Sequence, residues 1–216
     1  MTHRSIHVLA RLAAVALVAT LTVACTAAPA ASPPPATSGP SAATGGGACP
    51  TGQPEPLPAG ETRAVTISTD LGSMTLTIEA DLSPIAAGNF VALADCGFYD
   101  GVVFHRVVQA FVIQGGDPTG TGSGGPGYTI QDEPVTTPYS RGTVAMARTP
   151  APNSVGSQFF IVLDDGARPA LASANTYQII GSVTAGMDTV DKIAAAADAD
   201  LPSNPVVMTD VSVSTP

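Results

Sequence analysis

From Arg63 onward the chain is built of short alternating runs. Val65 and Ile67, then Met74, Leu76 and Ile78, stand at every second position on either side of Asp70-Leu71-Gly72-Ser73. A spacing of two puts these side chains on one face of a strand, so the pair reads as a hairpin. Similar runs follow at Val102–Val108, Phe111–Gln114, Thr143–Ala147, Gln158–Leu163, Tyr177–Val183 and Val206–Ser214. Eight strands with turn-rich connections predict a mainly β fold, an antiparallel barrel or sandwich. Two stretches break the alternation with helical spacing. In the first, Ser83 is placed to cap, Pro84 suits the first helical position, Ala86, Phe90, Leu93 and Ala94 share a face, and Gly97 stops the helix. The second runs from Met187 to about Asp198, with Met187, Val190, Ile193, Ala194 and Ala197 on one face.

The pattern before Arg63 is different. His3, Arg4, His7 and Arg11 lead into an apolar run from Leu12 to Ala24. That run falls short of the roughly 20 apolar residues a bilayer span needs, and it reads as the core of a secretory signal over residues 1–24. The following LTVAC, residues 21–25, resembles the lipobox of bacterial lipoproteins, in which Cys25 receives lipid and becomes the mature N-terminus. The alternative is ordinary cleavage near Thr26-Ala27-Ala28 and free secretion. Residues 26–60 hold 9 of the 20 prolines and 6 glycines. Such a composition cannot bury enough apolar surface to offset its ordering entropy, so residues 25–60 read as an anchor cysteine and a tether, and residues 61–216 as one domain. With Cys25 lipidated or removed, Cys49 and Cys96 remain. Outside the cytosol they either form a disulfide that clamps the tether's end to the domain or stay unpaired.

Charge and composition then exclude several functions. Eight basic residues stand against 17 acidic ones, a formal charge of -9. Because Arg4 and Arg11 precede Cys25 and all acids follow it, the mature chain carries -11. Nucleic acid binding draws on clustered basic side chains, which are scarce here. A metal is not expected, since His105 is the only histidine after the signal and no two cysteines have ligand spacing. GTGSGG at residues 120–125 satisfies G-x-G-x-x-G, but Pro126-Gly127 forbid the helix a dinucleotide site requires, so it reads as a loop. The pairs Asp132-Glu133 and Asp164-Asp165 read as solvated loop acids, and no G-x-S-x-G elbow occurs.

The informative stretch is FHRVVQAFVIQGGDP, residues 104–118. An arginine in an apolar strand implies either a buried ion pair or a guanidinium facing a cleft, and spacing alone leaves both open. This stretch resembles the signature of the cyclophilin-type peptidyl-prolyl cis-trans isomerases. SPIAAGNFVALADCGFYDGVVFHR before it, and GTVAMAR (142–148) and NSVGSQFFI (153–161) after it, resemble further segments of that family in the same order. The resemblance covers roughly Arg63 to Val213 and implies a closed eight-stranded antiparallel barrel with a helix over each end.

The resemblance also implies roles. Arg106 donates to the proline nitrogen as the amide twists, Gln114 helps to orient it, and Phe111, Val112 and Phe160 hold the proline ring. Ala147, Arg148 and Gln158 fall on substrate-contacting positions, and Tyr177 on one the family fills with His or Tyr. His105 adjoins the catalytic arginine, where a structural role competes with a site role because neighbouring strand residues point to opposite faces. No cofactor is implied. The family's Trp-Leu-Asp-Gly stretch is missing, since the chain has no Trp; Asp164 to Thr176 read as a longer Ala-rich loop in which Leu171 lines the pocket. Arg148 replaces the usual Asn. The expected activity is isomerisation of X–Pro bonds in exported polypeptides by a monomer that meets the membrane only through its lipid. A noncatalytic module holding proline segments is the alternative.

Overall fold

Strands β1 (Thr62–Thr69) and β2 (Gly72–Glu79) form the expected hairpin, with Val65 opposite Leu76 and Ile67 opposite Met74. The computed structural model describes residues 47–215; the expected signal, Cys25 and most of the expected tether lie outside the described residues. After the hairpin come α1 (Pro84–Asp95), β3 (Arg106–Val108), β4 (Val112–Gly115), β5 (Thr143–Met146), β6 (Phe159–Val162), α2 (Arg168–Ala174), β7 (Ile179–Ala185), α3 (Met187–Ala196) and β8 (Asp210–Ser214). The strands form one antiparallel sheet in the order β3-β4-β6-β5-β7-β2-β1-β8.

The sheet curls until its two edges meet, but the closure differs from a continuous strand ladder. β3 and β8 do not pair. Instead the segments beside them join through a single bridge, Val103 to Val207, and through hydrogen bonds from Gly101 N–H to Met208 C=O (2.8 Å), Phe104 N–H to Val206 C=O (2.9 Å) and Met208 N–H to Val102 C=O (2.9 Å).

Alternation along the middle strands sorts side chains onto two faces. Ile113, Val144, Met146, Phe159, Ile161 and Ile180 enter the main core with Phe90 and Leu93 of α1 and Val190 and Ile193 of α3. Their neighbours Val112, Ala145, Phe160, Val162 and Ile179 point the other way, into a second buried cluster with Leu171 and Tyr139. Both faces are covered, so strands such as Phe159–Val162 are apolar at every position rather than at every second one.

The helices correct the sequence reading in two respects. The stretch from Asp164 to Thr176 is not merely a loop. A single 3₁₀ turn at Asp165–Ala167 leads into the short α2, and Leu171 is buried on its inner side. Nor does Ser83 cap α1, for its hydroxyl makes no cap bond. Glu133 does so from 48 residues away, accepting Ile85 N–H and Ala86 N–H at 2.9 Å each. A carboxylate at a helix start satisfies two orphan donors and complements the dipole. Asp132 and Glu133 are therefore structural partners rather than solvated loop acids, while Asp164 caps the 3₁₀ turn and Asp165 accepts Arg141 N–H at 2.9 Å. At its other end α1 closes with bonds from Gly97 N–H to Ala94 C=O and Phe98 N–H to Leu93 C=O.

The proline-rich residues 47–60 lie against the domain. Cys49 is bonded to Cys96 just past α1. Leu57 is buried, and its N–H donates to Pro84 C=O at 2.9 Å. Gly88 makes this possible: a Cβ there would sit 2.4 Å from the Glu55 carbonyl oxygen and 2.8 Å from Leu57 N. Gln53 accepts Gln131 N–H at 2.9 Å, tying the same strap to the segment that carries Asp132 and Glu133.

Candidate functional site

Strand register assembles the site. Arg106 on β3 stands opposite Gln114 on β4, Gln114 opposite Phe160 on β6, Phe160 opposite Ala145 on β5, and Ala145 opposite Ile179 on β7. One row across five strands thus runs from a guanidinium through an amide to an apolar floor. It lies on the outer face of the sheet, away from the main core.

Arg106 is half-buried, and its Nη1 donates to Gln114 Oε1 at 3.3 Å. It belongs to none of the ion pairs among the described residues, so of the two readings for an arginine in this strand the structure takes the cleft. Gln114 Nε2 donates to Gln158 Oε1 at 2.9 Å. Gln158 Nε2 in turn donates to the carbonyls of Gly122 (3.1 Å) and Gly124 (2.9 Å) in the glycine-rich loop.

Beside the polar end is the apolar patch. Val112, Phe160 and Leu171 are buried, and the partly exposed Phe111, Ala147 and Tyr177 pack around them. Tyr177 sets its ring edge-on to Phe160 with centroids 5.4 Å apart. Tyr139, unremarked in the sequence, holds that wall: its hydroxyl donates to Tyr177 C=O at 2.9 Å, and burial pushes the phenol up to about 12, so it remains a donor. An isolated tyrosine among Thr136, Thr137, Pro138 and Ser140 carries no periodic signal that would have found it. Leu171 reaches the patch from α2.

On the other side of Gln114 is a cleft of ≈ 640 Å³, lined among others by Gly122, Gly124, Ala147, Arg148 and Gln158. Arg148 is fixed at its rim. Nη1 is 2.9 Å from Asp132 Oδ1, and Nη2 donates to Ala151 C=O at 2.8 Å. Asp132 and Asn153 grip each other, with Asp132 N–H on Asn153 Oδ1 at 2.9 Å and Asn153 N–H on Asp132 Oδ2 at 2.8 Å. The rim is thereby joined to the α1 cap at the next residue, Glu133.

His105 does not line this surface. It is 5% exposed and lies beneath the glycine-rich loop, where a Cβ on Gly122 would sit 3.8 Å from its Nε2. The alternation of strand directions that brings Arg106 outward turns its neighbour in, so the structural reading of His105 prevails. Burial holds its imidazole below the usual range; the Asp117 carboxylate pulls the other way, and the Arg106 guanidinium adds to the lowering. Unfolding restores the ordinary value of 6.5, so as pH falls through 6.5 the unfolded chain takes up a proton that the folded one refuses. The contribution of His105 to stability is full above that value and is lost as pH falls toward the folded one. Urea unfolding from about pH 8 to about pH 5 is expected to show a shallower acid-side decline in His105→Gln than in the wild type. Parallel declines would remove this residue as the cause.

Fold and site together define a class: a curled antiparallel sheet that presents an arginine, two glutamines and an apolar patch on its outer face. The family model described as "Cyclophilin type peptidyl-prolyl cis-trans isomerase/CLD" matches residues 64–213. The chain belongs to the cyclophilin-type peptidyl-prolyl cis-trans isomerase family. A peptidyl-prolyl cis-trans isomerase of Helicobacter pylori is 41% identical over 137 residues, covering 62% of this chain and 81% of the relative. The peptidyl-prolyl cis-trans isomerase-like 2 protein of Cryptococcus neoformans is 39% identical over 137 residues, which span 59% of this chain and 23% of that one. A Streptococcus pyogenes relative, 50% identical over 102 residues, is covered over 22% of its length, against 45% of this chain. The chain therefore spans under a quarter of those last two. Among solved structures, a cyclophilin-type isomerase of Cryptosporidium parvum superposes with TM-score 0.64 at 31% identity, covering 72% of this chain and 99% of that one. The same protein crystallised in the presence of the dipeptide Ala-Pro gives TM-score 0.63.

Proposed function

We propose that this domain accelerates cis-trans isomerisation of X–Pro bonds in polypeptides outside the membrane, exported by its signal and held by lipid on Cys25. The observation that carries the activity is the register row that sets Arg106, hydrogen-bonded to Gln114, beside the patch of Val112, Phe160 and Phe111. Rotation about an X–Pro bond faces about 18–20 kcal/mol because the nitrogen lone pair is delocalised into the carbonyl. No bond has to break, so neither nucleophile nor cofactor is required. The apolar patch holds the proline ring while the bond turns. As resonance is lost the nitrogen becomes an acceptor, and a guanidinium positioned there gains a partner that the planar amide did not offer. The family membership supports the same chemistry.

A short proline peptide assayed with the purified protein is expected to isomerise well above its spontaneous rate. A rate equal to background, with the peptide still bound saturably, would replace the enzyme by a proline-segment-binding module. Export and anchoring are read by mass spectrometry of the membrane fraction. A lipid-modified Cys25 is expected at the N-terminus, and an unmodified terminus beyond residue 25 in the medium would sink the anchor.

A further inference from the structure

The glycine-rich stretch at residues 120–125 is tightly organised, and its organiser is Asp117. This carboxylate is 1% exposed. Its Oδ1 accepts the N–H (2.7 Å) and the hydroxyl (2.8 Å) of Thr119, and its Oδ2 accepts the N–H groups of Gly122 (2.6 Å) and Gly124 (3.0 Å). Burial alone would raise its pKa, but the donors of Gly124, Thr119 and Gly122 outweigh that and hold the carboxyl well below the usual carboxylate range. A Cβ on Gly124 would lie 2.0 Å from Asp117 Oδ1, so the loop can wrap this closely only as glycine.

With their N–H groups drawn inward, Gly122 and Gly124 turn their carbonyls to Gln158. Those carbonyls can only accept, and the Arg106 guanidinium at the far end can only donate. Between them are two amides, each of which can be flipped. The loop carbonyls require Gln158 to present its NH₂, so Gln158 Oε1 faces Gln114; Gln114 then donates its own NH₂, and its Oε1 is left for Arg106. If the carbonyls move away, Gln158 loses the two acceptors that hold its NH₂, and a flipped pair would set the Gln114 NH₂ against the guanidinium.

We propose that Asp117 is a positioning residue for the isomerase reaction: by fixing the Gly122 and Gly124 carbonyls it sets the orientation of both glutamine amides and so keeps an acceptor on Arg106. The proposal rests on the isomerase reading above. It is tested on the full-length protein with Asp117→Ala, Gln158→Ala, their double variant, and Asp117→Asn. With a proline peptide, Asp117→Ala is expected to lower kcat about tenfold, within the 10²-fold that a misplacement of roughly 1 Å can cost. Gln158→Ala is expected to lose a similar factor and the double variant no more than Gln158→Ala alone, because the two residues act in series. Fully additive losses, or an unchanged kcat in Asp117→Ala, would overturn the proposal.

Asp117→Asn keeps the side chain's shape but offers an NH₂ to loop donors, and it serves if the alanine variant does not fold. There the side-chain amide NMR signals of Gln158 and Gln114 are expected to shift together toward those of free glutamine. A Gln114 signal that stays in place breaks the relay and overturns the proposal. This second readout needs no turnover, so an inactive wild type would count against the isomerase reading alone.

Discussion

Arg106→Ala is expected to lower kcat/KM for a proline peptide by about 10²–10³, the cost of removing one preorganised donor from a developing charge. The loss should fall mainly on kcat, because Val112, Phe160 and Phe111 still receive the ring. Arg106→Lys keeps the charge but not the planar fork, and it should recover only part of the activity. Neither change should alter stability by more than about 0.5 kcal/mol, since the side chain is half-buried and takes no part in an ion pair among the described residues. A peptide assay beside thermal unfolding of each variant measures both quantities. Equal rates in wild type and Arg106→Ala would remove the assigned mechanism.

The largest expected effect on stability belongs to the Cys49–Cys96 disulfide, which closes a loop of 47 residues in the unfolded chain. Chain-entropy arguments put the stabilisation from a loop of that size at about 4 kcal/mol, and measured disulfides more often give about 2–4 kcal/mol. Replacing both cysteines by serine is expected to cost about 3 kcal/mol and to lower Tm by roughly 6–12 °C. Leu57 and its bond to Pro84 remain, so the strap should loosen rather than leave, and peptide turnover should change less than twofold. Urea unfolding with and without a reductant provides the comparison. Coincident midpoints would show that the bond restrains little.

Much of this was legible in the chain because the responsible physics is local. Period-two alternation marked the hairpin, and helical spacing marked α1 and α3. FHRVVQAFVIQ carried Arg106, Phe111, Val112 and Gln114 in one run that two adjacent strands then fold into contact. What escaped notice depends on partners far apart. Ser83 had the composition of a cap, but Glu133 supplies two oxygens from another segment and wins. Residues 50–58 have the proline content of a free tether, and nothing in that content reveals a groove at Gly88 shaped to receive them. In α2 the seven residues include Pro169 and three alanines, too short a stretch to show periodicity. His105 and Arg106 share one strand entry, and only the direction of alternation decides which one faces outward.

The way the sheet closes also orders events in time. Among the described residues β8, the last strand, pairs with β1, the first, aligning Ser214 with Ala64; the bridge between Val103 and Val207 lies just ahead of it. A chain synthesised N-terminus first can form the β1–β2 hairpin, α1 and the β3–β4 pair that joins Arg106 to Gln114 early, since those contacts are near in sequence. The seam cannot shut until residues 206–214 have emerged, and pairings across so many residues form slowly. Until then β1 presents an unpaired edge open to any other strand. The domain thus passes through a stage with one edge of its sheet open, and the pairing of residues 210–214 with β1 removes that exposure.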